Sequence, residues 1–172
     1  WHSTRSPREA VGGLGSPLID MAKISVIIPV YDAEATVAVL YKRLRAALES
    51  ITPDFEILLI EDCGRDRSWD IIVELARQDP RVKGIRFSRN FGQHHGITAG
   101  TDMCDGDWVI VMDCDLQDEP EEIPRLYAKA TEGYDVVLAC RKARSDQYLK
   151  RASSWVFYKV FGYLTGIKYD AR

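Results

Sequence analysis

From Lys23 onward the chain alternates short, nearly uninterrupted apolar runs with segments whose apolar residues recur every three to four positions. The runs at 24–30, 55–61, 82–88, 108–112 and 135–139 have the length and β-branched character of strands buried on both faces of a parallel sheet. Between them, 36–50 carries Val37, Leu40, Tyr41, Leu44 and Leu48 on one helical face, and 68–78, 94–104 and 120–131 show the same period. Ser68 suits an N-cap, and Pro120 suits a first helical turn. Strands alternating with helices predict an α/β domain, a mostly parallel, Rossmann-like sheet flanked by helices. Its ligands are then expected beyond the carboxyl ends of the strands.

Residues 1–22 are polar and broken by Gly and Pro, and read as a tail or expression remnant ahead of a single domain at 23–172. With no Met at residue 1 and no punctuation at Tyr169-Asp170-Ala171-Arg172, the chain reads as part of a longer protein. Its 172 residues are 46% hydrophobic and 28% charged, which excludes a disordered or fibrous class. The net charge of −3 gives no general basis for binding nucleic acid. That average hides an asymmetry. Residues 141–172 hold eight Lys/Arg and two Asp/Glu, against 15 and 24 in the preceding 140. A basic end on an acidic body fits an anionic partner or a solvated helix face. Cys63, Cys104, Cys114 and Cys140 have neither CxxC pairing nor zinc-finger spacing, so reduced, buried thiols in a cytosolic compartment are expected. No apolar run reaches the roughly 20 residues of a membrane-spanning helix.

The chemistry concentrates where the strands end. The turn after the first strand has no GxGxxG and no GxxxxGK[ST], which argues against dinucleotide enzymes and P-loop NTPases. Asp113-Cys114-Asp115 follows Trp-Val-Ile-Val-Met, and carboxylates two residues apart on such a turn can converge on one hard cation, Mg2+ or Mn2+. A surface turn is the competing reading of so short a motif. Asp62, after Ile57-Leu58-Leu59-Ile60-Glu61, either accepts hydrogen bonds from a nucleobase edge or merely starts the turn at Gly64. Tyr31 either stacks on a base or belongs to the core. His94 and His95 point to different faces, so one can meet phosphate or sugar while the other packs or faces solvent.

In order, ISVIIPVYDAEATV, ILLIEDCGRDRSWD, FSRNFGQHHGITAG and DGDWVIVMDCDLQDEPEEIP resemble the family 2 glycosyltransferases of the GT-A fold. The likeness is greatest to the branch with dolichol-phosphate mannose synthase and the bacterial polyprenyl-phosphate glucosyl and aminoarabinosyl transferases, and covers about 23–154. The resemblance implies that Pro29, Tyr31, Glu34 and Arg89 line a nucleotide pocket and that Asp62 reads the base. It implies that Asp113 and Asp115 bind the metal with Gln117 close by, and that Asp115, Arg141 and Arg151 serve the chemistry, the arginines meeting donor and acceptor phosphates. Asp32 and Ala33 stand where Asn and Glu are usual, and Glu61-Asp62-Cys63-Gly64-Arg65 replaces an Asp-Asp-Gly-Ser run. The GDFRL-like stretch and the transmembrane helices of many relatives are missing.

The resemblance thus leads to an expected inverting transfer of a sugar from a nucleoside diphosphate, UDP before GDP, to a polyprenyl phosphate. After the fifth predicted strand the only acids are Asp146 and Asp170, among Arg141, Arg144, Lys150 and Arg151, which fits a phosphate acceptor better than a hydroxyl needing a general base. Tyr148, Trp155, Phe157, Tyr158, Phe161 and Tyr163 among basic residues fit the cytoplasmic face of a membrane, or a helix packed on its own sheet or on a second copy of the chain. Two rivals remain: transfer to a sugar or protein hydroxyl, and a donor-binding module without activity.

Overall fold

The computed structural model describes residues 22–139. The chain divides after Tyr134 into two compact units, and all elements below lie in the first. Four strands, β1 (Ile24–Val30), β2 (Phe55–Glu61), β3 (Val82–Arg86) and β4 (Trp108–Val111), form a parallel sheet in the order β3-β2-β1-β4. Helices α1 (Val37–Glu49), α2 (Ser68–Gln78), α3 (Gln93–Met103) and α4 (Ile123–Ala130) connect or follow them, with a 3-10 turn at Pro120–Glu122 leading into α4.

Alternation along the strands decides which helix packs where. Ile24, Val26, Ile28 and Val30 of β1 and Phe55, Ile57 and Leu59 of β2 face the core that α1 fills with Val37, Leu40, Tyr41, Leu44 and Leu48. Ile27, Leu58 and Ile60 point to the opposite face. There α3 lies unusually close. A methyl group at Gly100 would overlap Ile27 Cγ2 and come 3.1 Å from Ile60 Cδ1, so this contact between helix and sheet requires glycine.

Only β1 and β2 are buried on both faces; β4 alternates between half-buried and exposed positions, and in β3 only Val82 is buried and Ile85 half-buried. The expectation of uniform two-sided burial is corrected by the strand order, which puts β3 and β4 at the sheet's edges among the described residues. The strand expected at 135–139 does not form; Val136, Val137 and Leu138 have strand-like composition, but strands exist by pairing and this segment joins no ladder among the described residues. Ser68 does not cap α2 and is instead its first residue. Its hydroxyl donates to Asp66 Oδ1 at 2.6 Å and accepts the Ala33 N–H at 2.9 Å.

Beneath the sheet's other end, Asp79 accepts the Tyr41 hydroxyl at 2.8 Å and two guanidinium bonds from Arg81 at 2.9 and 2.8 Å. The Arg81 guanidinium, with its backbone N–H and the Tyr41 hydroxyl, outweighs burial and holds the Asp79 carboxyl well below the usual range. A carboxyl depressed in the folded state adds stability above its unfolded pKa of about 3.9 and loses it as pH falls through the folded value. Asp79→Asn is therefore expected to cost about 2 kcal/mol in urea unfolding at pH 7. The gap from wild type should be equal at pH 5 and narrow at pH 3; a gap already closing between pH 7 and 5 would contradict this origin.

Candidate functional site

The chain runs from β1 outward through β2 to β3, then returns to place β4 on β1's other side. The carboxyl ends of β1 and β4 therefore flank the point where the strand order reverses, where open parallel sheets leave a crevice. A cleft of about 250 Å³ lies there, lined by Pro29, Val30, Tyr31, Asp62, Gln93, Asp113, Cys114 and Asp115. Five residues singled out in the sequence, Pro29, Tyr31, Asp62, Asp113 and Asp115, thus come together from three strand ends.

Tyr31 is 45% exposed and lines the cleft, which removes the core reading. Asp62 is only 4% exposed. Its Oδ1 accepts the Phe91 N–H at 2.7 Å and its Oδ2 the Gly92 N–H at 2.8 Å. Each carboxylate oxygen has a second acceptor position, so Asp62 can shape the turn into α3 and still receive a ligand donor. Gly92, at φ 91, adopts a conformation that a side chain would strain.

Asp113 and Asp115 are exposed on the turn leaving β4. Gln93 Nε2 donates to Asp113 Oδ1 at 2.5 Å, and the backbone N–H of Gln117 donates to Asp115 Oδ1 at 2.9 Å. Between Asp115 and Gln117, Leu116 takes φ 62, an uncommon left-handed conformation for a branched residue, and packs against the main core. Hydrophobic anchoring thus offsets a local strain next to the acids. Burial pushes the Cys114 thiol up, so this cleft cysteine is a thiol rather than a reactive thiolate.

The remaining expected site residues stand apart from the cleft lining. Glu34 accepts the Arg67 N–H at 2.9 Å, while the Glu34 N–H donates to Asp66 Oδ2 at 2.7 Å. Together with Asp32, whose Oδ1 accepts the Arg65 N–H at 2.7 Å, these bonds latch the turn after β1 to the turn after β2. Burial opposes ionisation of Asp66, but the Ser68 hydroxyl and the N–H groups of Ser68 and Glu34 outweigh it and lower its pKa. The Arg89 guanidinium stacks on the Phe91 ring at 4.6 Å, and His95 tilts against the same ring at 6.1 Å. Arg141, Arg144, Lys150, Arg151, Cys140 and the aromatic stretch fall outside the described residues. Cys63, Cys104 and Cys114 are free thiols, but half-buried rather than buried as expected, since all three lie beyond the ends of strands or helices.

Sequence reasoning passed over Gln93, which lay beside the two histidines that drew attention. Its signal was positional: an amide at the first residue of a helix that opens at the carboxyl ends of the strands.

The chain is 44% identical over 146 residues to an undecaprenyl-phosphate 4-deoxy-4-formamido-L-arabinose transferase of Shewanella sediminis (strain HAW-EB3), a match covering 84% of this chain and 44% of that protein. It therefore spans less than half the length of this relative. Among solved structures, the mannosyltransferase PcManGT from Pyrobaculum calidifontis in complex with GDP-Man and Mn2+ superposes with a TM-score of 0.59 at 16% identity, over 76% of this chain and 38% of that one. S. aureus TarS 1-349 in complex with UDP gives 0.52 at 23%, over 70% and 40%. These two likenesses show the fold, that of the GT-A glycosyltransferases. The sequence model for glycosyl transferase family 2 matches residues 25–169, and on that match the chain belongs to glycosyl transferase family 2.

Proposed function

We propose that the chain is the donor-binding part of an inverting glycosyltransferase that moves a sugar from a nucleoside diphosphate to a polyprenyl phosphate such as undecaprenyl or dolichyl phosphate. The observation that carries this reading is the convergence of Tyr31, Asp62, Asp113 and Asp115 on one cleft at the switch point of a family 2 sheet. The 44% identity to an undecaprenyl-phosphate transferase supports the acceptor class, and the choice of UDP before GDP as the donor nucleotide follows from the resemblance to the bacterial transferases.

In this reading the base lies against Tyr31 and meets the free acceptor positions of Asp62, and the diphosphate lies toward Asp113 and Asp115. Hard divalent cations use one or two carboxylates plus phosphate oxygens and water, which suits this pair. Among the described residues no three His, Cys, Asp or Glu side chains form a self-sufficient cage. Asp113 and Asp115 would hold Mg2+ or Mn2+, with Gln117 on the same turn, and the bound ion would neutralise charge on the departing diphosphate.

The acceptor phosphate is already anionic at pH 7 and requires no general base. Its oxygen forms the new bond at the anomeric carbon as the bond to the donor diphosphate breaks, and the electron pair leaves with the nucleoside diphosphate. Attack opposite the leaving group inverts the configuration. Arg141 and Arg151 are assigned to the donor and acceptor phosphates, and the basic, aromatic stretch at 148–167 to the cytoplasmic face of the membrane. Among the described residues no helix is long and apolar enough to cross a bilayer.

Calorimetric titration of the 172-residue chain with UDP and GDP, with and without Mn2+, tests the donor site. UDP is expected to bind in a Mn2+-dependent manner and more tightly than GDP. Absence of metal-dependent nucleotide binding would remove the assignment of the cleft.

A further inference from the structure

We propose that Gln93 is a positioning residue that sets the divalent-metal affinity of the cleft by fixing the Asp113 carboxylate, as the last link of a strap running from Asp62 across the end of β1. The inference rests on the donor-site reading above and adds to it a residue that neither the resemblance nor the motifs single out.

The strap is continuous in hydrogen bonds and chain. Both oxygens of Asp62, at the end of β2, hold the N–H groups of Phe91 and Gly92. The left-handed turn at Gly92 then delivers Gln93 as the first residue of α3. From there the amide reaches Asp113 Oδ1, beyond the end of β4. The three strands adjoin in the order β2-β1-β4, so the strap spans the cleft mouth above Pro29, Val30 and Tyr31, and Asp62, Gln93 and Asp113 all line that cleft.

The chemistry follows from what an amide donor does to a carboxylate. Asp113 sits on an exposed turn, where an unrestrained carboxylate samples several rotamers and must be ordered when a cation arrives. A short bond to Oδ1 fixes the plane of the group in advance and leaves Oδ2 as the oxygen for a hard ion. Partners of ligating carboxylates in this arrangement typically account for about 10–100-fold in metal affinity. Gln93 is itself exposed, so its amide has no evident packing duty.

The test is Gln93→Met, which keeps length and helix propensity and deletes the donor. Mn2+ is titrated at fixed UDP into wild type and variant, and UDP binding is also measured without metal. The expected result is a Mn2+ midpoint raised about 10-fold or more, with an unchanged melting temperature and a several-fold smaller loss, if any, of metal-free UDP affinity. A second variant, Gly92→Ala, alters the strap without touching either ligand group and should move the midpoint in the same direction. An unchanged midpoint in Gln93→Met, or an equal loss with and without metal, overturns the proposal while leaving the donor site standing. A wild-type chain with no Mn2+ dependence overturns both.

Discussion

Alanine at position 115 is expected to weaken Mn2+-dependent UDP binding by more than about 100-fold, because deleting a ligating carboxylate exceeds the 10–100-fold cost of losing an outer partner. The effect should be confined to the metal-dependent component. Asp115 is exposed, and the hydrogen bond described for its carboxylate is the one from the Gln117 N–H, so the stability cost should stay near about 0.5–1 kcal/mol. Asp102→Ala, in the last turn of α3, makes the same change of net charge away from the cleft and serves as the control. If Asp115→Ala binds UDP and Mn2+ as wild type does, Asp115 is not a metal ligand. If Asp102→Ala loses binding equally, the effect is one of overall charge.

Valine at position 100 is expected to be the most damaging single change to the fold. Gly100 lies where α3 meets β1 and β2, and even one methyl group would overlap Ile27 Cγ2. Overpacking of a filled core costs about 1–3 kcal/mol, and a branched side chain against Ile27 and Ile60 belongs at or above the upper end. Displacing α3 also displaces Gln93 and the turn held by Asp62, so the cleft should be lost with the stability. A double-mutant cycle isolates the cause. Gly100→Ala gains about 1 kcal/mol of helix propensity against its steric penalty. In an Ile27→Ala background the overlap is gone and the same substitution should become stabilising. Persistence of the penalty in that background would show that the close approach to Ile27 is not the reason for glycine.

The elements that were legible in the sequence owe it to strong periodicity. β1, β2 and α2 begin and end where the apolar pattern does, since their burial is set by residues within each run. The edge strands were less legible, because Lys83 and Arg86 in β3 and the exposed Val109 and Val111 in β4 depend on which strand lies beside them, and neighbours are not local information. The same cause accounts for 135–139, whose composition is right for a strand but whose pairing no local rule supplies. Among the site residues, the position of Asp113 and Asp115 after a strand was legible from spacing alone. The hold of Asp62 on the turn into α3 was not, because its partners Phe91 and Gly92 lie about 30 residues away. Two departures from the usual motifs also acquire a physical meaning. Asp32 and Cys63 both take left-handed conformations, at φ 46 and 56. Aspartate tolerates that region much as asparagine does, whereas cysteine at a position where glycine is usual accepts strain of about 1 kcal/mol.

The ladder that attaches β4 is only four residue pairs long, from Ile24↔Trp108 to Ile27↔Val111, whereas β2 is paired along both sides. The acids proposed to hold a cation therefore follow the strand with the shortest ladder among the described residues, and opening free energies scale with the bonds and apolar area given up. An occupied cleft, touching β1 and the turn beyond β4 at once, would act as a clasp on that seam. Its binding energy would add to the cost of opening the seam rather than be spread evenly over the protein. Donor binding would thus be felt as a change in which amides exchange with water, concentrated at β4, before it appears as any change in the average fold.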